Sequence, residues 1–128
     1  MQLLLDTHIV LWYLQGDSRI KPDLNDVLES RKNQVYFSIA SLWEISIKVG
    51  IGKLILDRPF EDLKSSLAEN NIEIITVTFD DTILNKDLPR YHKDPFDRIL
   101  ISQVINRSLI LVSQDSVFNQ YPVRLLTV

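Results

Sequence analysis

Acidic side chains carry the chemistry that this sequence offers. Asp6 closes the apolar run Leu3-Leu4-Leu5, Asp94 and Asp97 bracket Pro95-Phe96, and Asp115 follows Leu111-Val112-Ser113-Gln114. Glu44 falls about a turn and a half into the segment after Val35 to Ser38, if that segment is helical. Carboxylates confined within a few ångströms repel, so they take up protons or a divalent cation compensates them. Oxygen donors without cysteine or paired histidines favour magnesium or manganese over zinc or copper. Such an ion activates water and neutralises a phosphodiester under attack, which makes metal-assisted phosphodiester hydrolysis the indicated reaction. Spacing alone leaves open whether the phosphate belongs to RNA, DNA or a small molecule.

Each acid also has a purely structural reading. Asp6 suits the cap of a first helix, Asp94 the cap of the helix that Pro95 begins, and Asp97 the positive end of that helix dipole. Ser41-Leu-Trp-Glu44 has capping-box spacing, and Lys48 stands one turn beyond Glu44. Asp115 suits a turn. Taken singly these readings are as good as the catalytic one. What joins the acids is a shared edge, and that depends on the elements that carry them.

Short apolar runs alternate with amphipathic stretches, the pattern of an α/β fold with a parallel sheet. The runs Gln2 to Leu5, Val35 to Ser38, Ile72 to Val77, Leu109 to Ser113 and Val123 to Thr127 read as strands. Helices are expected over Thr7 to Gln15, Lys21 to Arg31, Ile39 to Val49, Phe60 to Asn70, Phe79 to Leu88 and from Asp94-Pro95 onward, with a turn or short helix at Ser116 to Gln120. In open parallel sheets the functional crevice lies beyond the carboxyl ends of the strands. Asp6, Glu44, Asp94, Asp97 and Asp115 all belong near that edge.

Composition narrows the alternatives. The 128 residues, 45% of them hydrophobic, suit one domain spanning residues 1–128, without repeats or linkers. There is no cysteine, which removes disulfides and thiolate chemistry and suits a reducing cytoplasm. Three glycines are too few for a Walker loop or a dinucleotide fingerprint. No apolar stretch approaches the roughly 20 residues of a membrane span. The opening Met-Gln-Leu-Leu-Leu-Asp lacks the pattern of a signal peptide, so a soluble cytoplasmic protein is expected. A net charge of −3 argues against coating nucleic acid by bulk electrostatics, so a polyanion must meet a local patch.

At the acidic blocks the chain resembles the PIN-domain nucleases, and among them the VapC-type toxins of bacterial toxin–antitoxin pairs. The pieces are Leu3-Leu-Leu-Asp-Thr-His-Ile-Val-Leu-Trp-Tyr-Leu14, Ser38-Ile-Ala-Ser-Leu-Trp-Glu-Ile-Ser-Ile-Lys48, Lys53-Leu54, His92-Lys-Asp-Pro-Phe-Asp-Arg-Ile-Leu-Ile-Ser-Gln103 and Leu111-Val-Ser-Gln-Asp115. Their order covers nearly the whole chain. The resemblance implies a three-layer α/β/α sandwich with a mostly parallel central sheet. It places the family's acids on Asp6, Glu44, Asp97 and Asp115, and implies that they bind magnesium or manganese. It further implies endonucleolytic cutting of RNA to leave a 5′-phosphate and a 3′-hydroxyl, a homodimer, and an antitoxin that blocks the acidic pocket. Asp94 matches the pattern too, but its place before Pro95 favours a cap. Thr7 and Ser113 are candidates to support the ligands rather than bind the ion. Where the family often has a small polar residue before the last acid, this chain has Gln114.

Arg90, Tyr91, His92, Lys93 and Arg98, with Lys86 close by, form the most basic and aromatic interval and flank Asp94 and Asp97. They suit phosphate contacts and stacking of an unpaired base, or else a solvated loop. Leu11, Trp12, Tyr13, Trp43 and Ile47 suit the core, with some left to face a partner. Two other functions fit parts of the pattern. A magnesium-dependent aspartyl phosphatase also places an acid after its first strand, although His8 stands where its second aspartate belongs. A catalytically silent scaffold binding nucleic acid or a partner would keep the fold alone.

Overall fold

The computed structural model describes residues 1–127. Five short strands, Gln2–Leu5 (β1), Gln34–Ser38 (β2), Ile72–Ile75 (β3), Ile110–Ser113 (β4) and Arg124–Thr127 (β5), pair in parallel throughout, in the order β3-β2-β1-β4-β5. A parallel sheet is covered on both faces, which is why its central strands are continuously apolar rather than alternating. In β1 this leaves Leu3, Leu4 and Leu5 all buried. Successive side chains point to opposite faces. Leu3 and Leu5 pack with Ile9, Phe37, Ile45 and Leu67 on one side, while Leu4 joins Leu100, Ile101, Leu111 and Phe118 on the other.

The layers on those faces are the helices Thr7–Gln15 (α1), Pro22–Glu29 (α2), Ile39–Gly50 (α3), Leu63–Glu69 (α4), Phe79–Asp87 (α5) and Pro95–Arg107 (α6). The expected α/β/α sandwich is present, with small differences at element ends. The helix expected from Phe60 opens instead as a 3-10 turn over Phe60–Asp62 before α4 begins. The third strand stops at Ile75, because the next carbonyl, that of Thr76, accepts from the side chains of Gln103 and Arg107 rather than from the sheet. Lys21 and Ser30 are the caps of α2 and not part of it.

The strand order decides where the site forms. From β1 the chain moves outward to β2 and β3, then returns through α5 and α6 to pair β4 against the opposite side of β1. The reversal makes a crevice outside the carboxyl ends of β1 and β4. Asp6 leaves β1 at that point with its N–H donated to the Val112 carbonyl at 3.0 Å. Among the described residues, no helix is long and apolar enough to cross a membrane.

Candidate active site

Each acid reaches the crevice by a local rule of its own. Asp6 is the N-cap of α1, extended at φ −65° and ψ 156°, and its Oδ1 accepts from the Thr7 N–H at 2.7 Å. Its Oδ2 accepts from the Ser113 hydroxyl at 2.8 Å, and the Ser113 oxygen in turn accepts from the Asp115 N–H at 3.0 Å. One serine at the end of β4 therefore holds two acids in register. Asp115 caps the 3-10 turn Ser116–Gln120, its Oδ1 accepting from the Val117 N–H at 3.0 Å. Glu44 projects from α3, which Ser38 caps, and accepts from the Thr7 hydroxyl at 2.8 Å and from Lys48 Nζ at 3.0 Å. The cap reading of Asp6 and the Lys48 pairing of Glu44 thus hold alongside their place at the crevice. The capping box expected from Ser41 to Glu44 does not form, because Ser38 caps α3 and Ser41 lies inside the helix.

Asp94 is the cap that Pro95 demanded: its Oδ1 accepts from the N–H groups of Phe96 and Asp97 at 2.9 and 3.1 Å. That cap turns Asp97 into the first turn of α6, where its Oδ2 lies 3.4 Å from His92 Nε2. Asp6, Glu44, Asp94, Asp97 and Asp115 line one cavity of about 420 Å³, together with Thr7, His8, Lys48, Gln114 and Ser116. Four segments distant in sequence meet there.

The electrostatics of this cavity are those of an anion-rich hole. Asp97 is pushed up to about 8, first by burial and then by the charges of Asp94, Asp6, Glu44 and Asp115. Asp6 is also raised: its burial outweighs the hydrogen bonds from Ser113 and Thr7, and Glu44 adds to the rise. A proton on Asp97 compensates the crowding at neutral pH, and a divalent cation is the other agent that does so. The donor set fits a hard cation, being carboxylate and hydroxyl oxygen. Among the described residues no group of three or more His, Asp or Glu side chains is already drawn together around an ion position. Asp6, Glu44, Asp94 and Asp115 are each held by hydrogen bonds to their own neighbours.

The basic interval divides. Arg90, Tyr91 and Lys93 are exposed on the loop before α6. Arg98 is not available to RNA: it is 3% exposed, and its guanidinium donates to the carbonyls of Asn85, Leu88, Pro89 and His92 and to the Tyr121 hydroxyl. Those carbonyls end α5 or follow it, and a buried cation must be satisfied. That corrects the expectation from sequence, which saw a basic residue next to Asp97 and not the carbonyls around it. His92 is half-buried between Asp97 and Tyr121, whose hydroxyl lies 2.6 Å from Nδ1. Tyr121 itself gave no signal in the sequence, since it follows the last acid in an unremarkable turn. Of the large apolar residues, Leu11 and Trp12 are core, whereas Trp43 is 63% exposed beside exposed Ile47.

Fold and pocket together define an α/β sandwich with a carboxylate-lined crevice at its topological switch point. The sequence profile of the PIN domain matches residues 3–123, and the chain belongs to the PIN-domain family. Solved structures share the fold. One is a complex described as VapBC2 from Rickettsia felis bound to a DNA fragment from its promoter, 20% identical, covering 99% of this chain and 98% of the other, with a TM-score of 0.71. Another is DNA-bound VapBC from Salmonella typhimurium, 16% identical, with coverage of 99% and 98% and a TM-score of 0.70. A third is a domain of a functionally unknown protein from Methanocaldococcus jannaschii, 15% identical, with coverage of 99% and 90% and a TM-score of 0.63. No curated protein matches the sequence.

Proposed function

We propose that this chain is a magnesium- or manganese-dependent endoribonuclease and the toxin of a toxin–antitoxin pair. The observation that carries the reading is the convergence of Asp6, Glu44, Asp97 and Asp115 on one cavity, with Asp97 raised to about 8 by burial and its acidic neighbours. Asp6, Asp97, Asp115 and Glu44 are the residues that would hold the ion. When bound, the ion supplies Lewis-acid chemistry, acidifying water and neutralising charge on a phosphodiester.

The chain's own residues divide the remaining work. Ser113 and the Thr7 N–H fix both oxygens of Asp6, so that this acid needs no reorganisation when substrate arrives. The Thr7 hydroxyl and Lys48 orient Glu44, and Lys48 offsets part of the pocket's negative charge. Arg90 and Lys93, exposed on the loop before α6, would meet phosphates, and exposed Tyr91 would stack on an unpaired base, the usual way a protein reads single-stranded RNA. RNA rather than DNA rests on the resemblance of the sequence blocks.

Two protein partners belong to the same reading. The VapBC complexes among the structural neighbours support an antitoxin. A homodimer is supported by the exposed apolar side chains Ile39, Trp43, Ile47, Phe79 and Ile83 on α3 and α5.

The test is cleavage of RNA by purified protein with manganese, with EDTA, and with Asp6→Asn. Cleavage that depends on the ion and on Asp6 is expected. Cutting that persists in EDTA and in the variant would overturn the mechanism. Growth arrest on expression, relieved by a neighbouring gene's product, is the expected sign of the toxin role.

A further inference from the structure

Beside the pocket runs a chain of polar groups that none of the acids explains. Arg98 Nη1 lies 3.4 Å from the Tyr121 oxygen, the Tyr121 hydroxyl lies 2.6 Å from His92 Nδ1, and His92 Nε2 lies 3.4 Å from Asp97 Oδ2. The first bond of this chain has a fixed direction. A guanidinium only donates, so the Tyr121 oxygen accepts from Arg98, which leaves its own proton free to be given to His92 Nδ1. In the tautomer that accepts this proton at Nδ1, the ring proton sits on Nε2, facing Asp97. Yet Nε2 is buried and has no hydrogen-bond partner. A buried donor left unmade costs about 1–3 kcal/mol. The Asp97 carboxylate, with Oδ2 3.4 Å away, is an acceptor within reach of it.

We propose that His92 is a positioning residue for Asp97, held in one tautomer by Tyr121 and Arg98 so that its Nε2–H steers the carboxylate into the ion-binding pocket. This rests on the reading of the pocket as a metal site. It reassigns two residues of the basic interval: Arg98 and His92 serve the acid behind the pocket rather than the RNA in front. Phe118 and Tyr121 pack edge-on against the ring at centroid distances of 6.4 and 5.3 Å, which leaves it little freedom to turn. Partners of this kind typically change metal affinity 10- to 100-fold when removed.

The test measures manganese binding by the electron paramagnetic resonance of the free ion, alongside thermal unfolding in EDTA. His92→Phe keeps a ring in the aromatic cage but removes the donor, and is expected to weaken manganese binding by about 10-fold or more. His92→Gln, whose amide can donate from the place of Nε2, should restore most of that loss. Tyr121→Phe, which frees the tautomer but keeps the packing, should fall between. Wild-type affinity in His92→Phe overturns the proposal. So does a loss that follows the unfolding temperature and is not restored by glutamine, since packing alone would then explain it. If the unaltered protein binds no manganese and cuts no RNA, the metal-site reading fails and this inference with it. If the unaltered protein does both, the behaviour of His92→Phe judges the inference alone.

Discussion

Asp97 and Asp81 occupy the same place in two neighbouring helices, each three residues after the N-cap, Asp94 for α6 and Thr78 for α5. Their surroundings are opposite. Asp81 accepts from the Thr78 N–H at 2.8 Å, closing a capping box, and takes Arg107 at 3.0 and 3.1 Å and Asn106 at 3.0 Å. Burial works to raise it, but those hydrogen bonds and the Arg107 charge win, and its carboxyl is held below the usual range. Asp97 meets His92 and four other acids and is driven up to about 8. Local position is therefore no guide to an acid's role. Asp81 finds its cation within the chain, on the last turn of α6, and is structural. Asp97 has carboxylates where Asp81 has an arginine, and on the proposed reading its cation is an ion taken up from outside.

The largest expected effect separates the two acids by function. Asp97→Asn and Asp6→Asn should each lower manganese-dependent RNA cleavage about a thousandfold, since an ion is worth several kcal/mol of transition-state charge. Asp97→Asn should not lower the stability of the protein in EDTA, because it removes a crowded carboxyl. A fall in urea midpoint as large as that of an Asp81 variant would erase the distinction.

Next in size is Asp81→Asn. Breaking a buried ion pair costs about 3–5 kcal/mol when the remaining charge is stranded. Here Arg107 is 27% exposed and can turn to water, so about 2–3 kcal/mol is expected, with an unfolding temperature lower by roughly 10 °C. Manganese affinity measured below the transition should stay as it was, since Asp81 is not among the residues lining the pocket.

The two acids should also bend the pH dependence of stability in opposite directions. Asp81 is depressed in the folded state, so its contribution is complete above the ordinary carboxylate value and is lost as pH falls through the depressed one. Asp97 is raised, so the folded state holds a proton that the unfolded chain has released; in EDTA this contribution falls as pH rises from about 4 to about 8. Urea titrations across pH should show the acid limb flattened by Asp81→Asn and the neutral slope flattened by Asp97→Asn. Manganese at 100 times its dissociation constant should add about 2.7 kcal/mol, and binding near neutrality should release a proton. An equal slope in both variants would refute the assignment.

Much of this arrangement was legible in the sequence, and the rest was hidden for an identifiable reason. Asp6, Asp94 and Asp115 announce themselves because each ends a strand or opens a helix, and strand ends on one edge of a parallel sheet converge by geometry. Asp94-Pro95 reads as a cap from two letters, and is one. Thr78 and Asp81 carry capping-box spacing, but Arg107 lies 26 residues on, and no periodicity links them. Arg98 shows the same limit from the other side. Its charge was visible and its buried carbonyls were not, so a cation serving the fold looked like one awaiting phosphate. What a sequence displays is the charge, whereas role follows from the partner.

The smallest effect probes how the pocket tolerates its own repulsion. The Ser113 hydroxyl donates to Asp6 and accepts from the Asp115 N–H, so it joins the exits of β1 and β4 with one atom. Ser113→Ala leaves a buried carboxylate short of one donor, a loss of about 1 kcal/mol if only that bond is counted. With the donor gone, Asp6 should rise further, because Ser113 is the strongest of the influences that lower it. The expected outcome is a small drop in unfolding temperature, with manganese binding weakened about tenfold and partly recovered by raising the pH. Ser113→Thr, which keeps the hydroxyl, should bind manganese nearly as the unaltered protein does. Had Ser113 served only to end β4, the two variants would differ in stability alone and bind manganese alike.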